Sequence, residues 1–152
     1  MNARGTTRLL EALPNDPVLV ATATFQVDIS MTRRIIVVNA ATSTLTLPQA
    51  NGSGTYLTFI LGIVAVSVIY KRALAADRYQ GSIQTEIDTN NTGKTWQANS
   101  TTNANTVTLN GSTTGGATIG DTVFFTDIAK GVWAVWGSVI GSGAIATPFS
   151  NT

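Results

Sequence analysis

NTVTLNGSTTGGATIGDTVFFTD, residues 105–127, is the stretch on which the reading of the whole chain turns. Thr106, Val107, Thr108 and Leu109 alternate polar and apolar, which places Val107 and Leu109 on one face of a pleated strand and the threonines on the other. Asn110-Gly111 then signals a turn, because both residues tolerate the positive φ that tight hairpins require. Gly115, Gly116 and Gly120 extend the loop before a β-branched and aromatic run over 122–128. The expectation is a β-hairpin whose glycines serve backbone geometry. The segment lacks the G-x-x-x-x-G-K-[ST] spacing of a phosphate-binding loop and leads into a strand rather than a helix.

Composition extends that reading to the rest of the chain. With 152 residues, the chain fits one domain able to bury a core without disulfides or metals. Only 11% of residues are charged, against about a quarter in typical domains, so Thr, Ser, Asn and Gly must cover most of the surface. Threonine suits the exposed face of a strand, and a surface poor in charge suits a protein that lives in an assembly. The net charge of +1 leaves no electrostatic footprint for nucleic acid or an anionic membrane. Without cysteine there is no thiolate chemistry, and without histidine there is no Ser-His-Asp triad.

Residues 1–17 read as an N-terminal arm and 18–152 as a single β domain. In the arm, Thr6 or Thr7 is placed to cap a short helix through Leu9, Leu10 and Leu13, stopped by Pro14 and Pro17. Its apolar stripe, beside Arg4 and Arg8, has two readings: packing on its own domain, or ordering on a partner. Residues 1–16 have neither the apolar core nor the cleavage site of a secretory signal, so the chain is expected to stay in the host cytoplasm until assembled. The apolar run over 56–70 is short of a bilayer span and reads as two buried strands or one bent one.

Further strand candidates are 18–28, with a bend near 22–24, then 33–39, 43–47, 55–61, 63–71, 81–87, 95–97 and 132–140. Turns are expected at 51–54, 88–94 and Lys130-Gly131, while 72–79 reads equally as a short helix or a loop. The tail from Gly141 shows no periodicity, and no internal repeat is evident. About ten short strands at this spacing predict an all-β fold, a compact antiparallel β-sandwich or barrel-like domain of jelly-roll or tulip-like form.

Three patterns are candidates for chemistry. Glu86 and Asp88, two apart, share a face if both lie on a strand, as a glycosidase pair might, but a solvent-facing strand edge accounts for them better. Residues 88–93, DTNNTG, copy the first half of a calcium loop, yet Asn99 stands where a bidentate Glu belongs. Gly93-Lys94-Thr95 copies the end of a nucleotide-binding loop, with Asp88 where its first glycine belongs. No catalytic residue, metal or cofactor is therefore assigned. Trp96, Trp133 and Trp136 could stack on sugars, but Trp133 and Trp136 face opposite ways on one regular strand. Core or subunit-interface packing is the favoured role for Phe124, Phe125, Trp133 and Trp136.

The segments TLTLPQANGSGTYLTFI, GSI, NTVTLNGSTTGGATIGDTVFFTDIAKGVWAVWG and GSGAIATPF together resemble tailed-phage virion proteins, especially head decoration (cement) or head fibre proteins. The likeness covers about residues 43–149, and its motifs mark turns and strands, not a reaction. It implies a small, non-enzymatic β domain, often a homotrimer, bound without covalent links to the outer surface of the capsid. The partners expected from it are the major capsid protein and further copies of the chain. Arg4, Arg8, Leu9, Leu10 and Leu13 are the expected capsid contacts. A glycan-binding tail-fibre or tip module, using Trp96 and the polar loop 99–105, is the alternative.

Overall fold

The computed structural model describes residues 16–90, 92–99 and 103–152. The expected arm contacts Arg4, Arg8, Leu9, Leu10 and Leu13 lie outside the described residues. Twelve strands are described: β1 (Val18–Val20), β2 (Thr24–Gln26), β3 (Ile35–Val38), β4 (Thr42–Thr46), β5 (Tyr56–Leu61), β6 (Ser67–Lys71), β7 (Arg78–Ile87), β8 (Gly93–Ala98), β9 (Thr106–Leu109), β10 (Thr122–Ala129), β11 (Val132–Gly141) and β12 (Phe149–Ser150). One 3-10 turn, Ile29–Met31, is capped by the Asp28 carboxylate accepting from the Ser30 N–H.

Two sheets pack face to face. Sheet A runs β1-β3-β5-β10-β11-β7-β8 and sheet B runs β12-β9-β6-β4-β2. The fold is the expected all-β sandwich, but its sheets are mixed. Antiparallel pairing holds for β5-β10-β11, β7-β8 and β6-β9-β12, whereas β1-β3-β5, β2-β4-β6 and β7-β11 run parallel.

The parallel part has a simple origin. From β1 to β6 the chain alternates between the sheets, so each pair of strands forms one coil lying on the one before. Val18, Ile36 and Phe59 stack in sheet A, and Phe25, Leu45 and Tyr70 stack in sheet B. Successive stacked residues in sheet A are 18 and then 23 positions apart, so the coils repeat in space without a fixed period in sequence. That is why no repeat is legible in the chain. The bend expected near 22–24 is the corner where β1 in one sheet becomes β2 in the other.

The opening stretch departs most from expectation. β9 belongs to sheet B and β10 to sheet A, so residues 110–121 cross between the sheets and do not close a hairpin. The glycines are used all the same. Gly111 has φ +70, and a Cβ there would stand 1.9 Å from the Ala65 carbonyl oxygen. Gly116 has φ +86, and its added Cβ would meet the Ala65 Cβ at 2.7 Å. This is a packed crossing over the β5–β6 corner, which a side chain would push apart. The turn at Lys130-Gly131 does join β10 to β11 as expected. Residues 72–77 take the loop alternative, and β7 begins at Arg78, earlier than the pattern suggests.

Apolar residues at alternate strand positions fill the space between the sheets. Phe125 lies within 6.5 Å, centroid to centroid, of Phe59, Tyr70, Tyr79 and Trp133, forming an aromatic centre for the core. The indole N–H of Trp133 donates to the Pro48 carbonyl at 3.2 Å, so this fully buried ring leaves no polar atom unpaired. Buried carboxylates tie the loops to the core. Asp127 accepts from the N–H groups of Asn51, Gly52 and Ser53, and Asp77 from those of Ala50 and Leu74.

Candidate interaction surfaces

The four aromatic residues expected to pack divide by strand parity. Phe125 and Trp133 point inward and are buried, while Phe124 and Trp136 stand on the outer face of sheet A. Phe124 and Trp136 are direct partners across β10 and β11, with rings stacked at 5.5 Å and 16°. Tyr56 of β5 closes the group, 6.1 Å from Phe124 and 5.8 Å from Trp136. Trp136 keeps 39% of its surface exposed in the free chain. Along the same face, Ile35 of β3 is 46% and Leu19 of β1 61% exposed.

The outer face of sheet B has a different chemistry. Its central row is Thr24, Thr44, Ile69 and Thr108 across β2, β4, β6 and β9. Three hydroxyls in that row hydrogen-bond to water at little cost. Rings and branched aliphatic groups on sheet A leave apolar area wet, which favours covering that face.

The two ends of the sandwich also differ. At one end lie the loops 39–41, 62–66, 110–120 and 142–148, which contain no charged residue, and the turn after β7 with the acidic Asp88. They expose Ile63, Val64, Val66 and Ile119. At the opposite end, Arg33, Arg34, Arg72 and Lys130 sit in the loops before β3, after β6 and after β10, and Lys71 and Arg78 stand at the adjoining ends of β6 and β7.

The carboxylates in the deciding stretch hold loops in place. Burial alone would raise the Asp127 pKa, but bonds from the Ser53 hydroxyl and the N–H groups of Ser53, Asn51 and Gly52 together hold it below the usual carboxylate value. Asp121 behaves oppositely: burial pushes its pKa up, against bonds from the Ile140 and Gly116 N–H groups that favour the charged form. Those bonds, at 2.9 and 2.8 Å, pin the glycine-rich crossing to β11. At the start of the stretch, the Asn105 side chain donates to Asn151 at 2.8 Å and accepts from the Thr106 hydroxyl and the Thr152 N–H, fastening the end of the chain.

The other sequence candidates are located plainly. Glu86 lies near the end of β7 and accepts from Gln84, whereas Asp88 falls beyond the strand in an exposed turn, so the two do not share a strand face. Within the half calcium loop, the Asn90 side chain accepts from the Thr92 N–H, and no group of three metal-ligating side chains occurs among the described residues. Gly93, Lys94 and Thr95 lie in β8, not at a helix N-terminus. Trp96 packs against the core, its indole N–H buried without a partner and its ring covered by the Lys94 ammonium at 5.5 Å. Its ring is half-buried. No cavity is found among the described residues, and no helix among them is long and apolar enough to cross a membrane.

Comparison with known protein families, with characterised proteins and with solved structures gives no match. The surfaces described above are accordingly what bears on function.

Proposed function

We propose that this protein is a non-enzymatic structural protein of a phage virion, a decoration or cement protein bound to the outer surface of the capsid as a homo-oligomer, in the first instance a trimer. One observation carries the reading: the outer face of sheet A gathers Tyr56, Phe124 and Trp136 beside the exposed Ile35 and Leu19, with no cavity for a small substrate among the described residues. Aromatic-rich and charge-poor surfaces are what protein interfaces use at their centres. The sequence resemblance over residues 43–149 supports the virion setting, and the threonine-covered face of sheet B suits the side left in water.

Such a protein acts by shape. Each copy buries modest apolar area against its neighbours and against the major capsid protein, and symmetry multiplies the contacts over the shell. Mixing the purified protein with undecorated heads, sedimenting them and imaging the pellet tests this. A regular array on the head exterior, together with a trimer mass by light scattering, is expected. Failure to sediment with heads refutes the decoration role. A wild-type chain that stays monomeric at tens of micromolar refutes the oligomer.

A further inference from the structure

We infer that the end of the sandwich carrying Arg33, Arg34, Lys71, Arg72, Arg78 and Lys130 is the docking end, and that it fits an acidic surface of a partner protein. The inference deepens the reading above by orienting the molecule on the shell, and it rests on that reading.

The whole-chain charge of +1 conceals a separation. Topology brings these six cations to one end, because β3 and β7 start there and β6 and β10 finish there, with the cations at those strand ends or in the loops beside them. The loops also touch one another. The Arg78 N–H donates to Gly131, the Gly131 N–H donates to Ala50, and Asn51 bridges to Lys130. Arg33 joins through its N–H to the Tyr56 carbonyl.

Among the described residues, four carboxylates stand at this end against the six cations, which leaves it with an excess of positive charge. Asp77 and Asp127 are buried and turned inward onto loop N–H groups, leaving Asp16 and Asp28 as the exposed acids at this end among the described residues. The guanidinium groups of Arg34 and Arg72 bond to the backbone carbonyls of Asp16 and Ala75, which are neutral acceptors.

A protein partner accounts for the pattern better than nucleic acid does. The cations are spread over three loops and the ends of two strands, with no stripe along one element and no exposed aromatic ring between them to stack on a base. Opposite charge at the rim of a protein interface steers approach and fixes orientation.

The test compares wild type with a Lys71→Gln/Arg78→Gln/Lys130→Gln variant and with Lys94→Gln, a cation on the edge strand away from this end. Matching circular dichroism and melting curves establish that each is folded. Binding is measured to undecorated heads, to poly-L-glutamate and to duplex DNA at physiological salt. The triple variant is expected to lose roughly tenfold in affinity for heads and for polyglutamate, as three rim charges together contribute, while Lys94→Gln binds as wild type does. Equal binding of heads by wild type and the triple variant overturns the inference and leaves the decoration role standing. Binding of polyglutamate that the triple variant loses, with heads ignored by both, removes the decoration role and keeps the acid-docking end. Tighter binding to duplex DNA than to polyglutamate overturns the choice of a protein partner.

Discussion

Ser53 donates twice to one carboxylate oxygen of Asp127, from its backbone N–H at 2.9 Å and its hydroxyl at 2.6 Å. With Gly52 at 2.7 Å on the other oxygen, the loop after β4 is clamped to the end of β10 across more than seventy residues of chain. Asp127→Asn keeps the volume but turns an amide NH2 toward N–H donors. We expect a loss of about 2–3 kcal/mol in urea unfolding, in line with removing charge-assisted bonds from a buried acceptor. A change under about 0.5 kcal/mol contradicts the clamp.

The same residue predicts an acid dependence. Its folded pKa is depressed, so its stabilisation is present above the unfolded value of about 3.9 and is lost as pH falls through the folded value. The stability advantage of wild type over Asp127→Asn should shrink as melting is followed from pH 5 downward. A constant gap across that range excludes the linkage.

Asp121 predicts the reverse sign. Its folded pKa is raised, so ionisation is disfavoured in the fold, and the wild type gains relative to Asp121→Asn as pH falls through the folded value toward the unfolded one. Because one carboxylate oxygen accepts from both Gly116 and Ile140, the Asn oxygen can replace it. Near neutral pH, Asp121→Asn is expected to unfold within about 1 kcal/mol of wild type. Opposite pH slopes for the two aspartate variants, measured side by side, are the check.

Gly111 and Gly120 separate conformational strain from collision. Both have positive φ, but an added Cβ meets nothing within 4 Å at Gly120 and stands 1.9 Å from the Ala65 oxygen at Gly111. Gly120→Ala should cost about 1–2 kcal/mol, and Gly111→Ala clearly more, because the β5–β6 corner must move. Equal losses in chemical denaturation count against the packed crossing.

Trp133 and Trp136 are three positions apart and carry different work. Trp133→Ala empties the core and should cost about 3–5 kcal/mol. Trp136→Ala removes half-exposed stacking on Phe124 and Tyr56, with about 1 kcal/mol lost from the free chain but a clear loss of oligomer in light scattering. Unchanged mass for Trp136→Ala argues against the outer face of sheet A as the subunit contact.

Much of the site was visible in strand parity. Alternation alone places Trp133 and Trp136 on opposite faces, and β11 keeps a regular register with β10 through both. The grouping of Tyr56 with Phe124 and Trp136 was not visible, since it depends on β5 lying beside β10. The cationic end was hidden as well, because Arg33, Arg72 and Lys130 meet only after three loops fold to one end.

Local chemistry determined that residues 105–127 hold two strands joined by glycines at positive φ, and that the chain is all-β with tryptophans split between its faces. Those features arise from steric and hydrophobic preferences acting over a few residues. Tertiary structure alone decided that β9 and β10 enter different sheets, that the first six strands stack as parallel coils, and that scattered cations share one end. A strand of alternating Thr and Val can pair in either direction. Its neighbour is chosen by which arrangement buries Phe59, Phe125 and Trp133 together while Asp127 finds the N–H groups of the 51–53 loop and Asp121 that of Ile140 in β11.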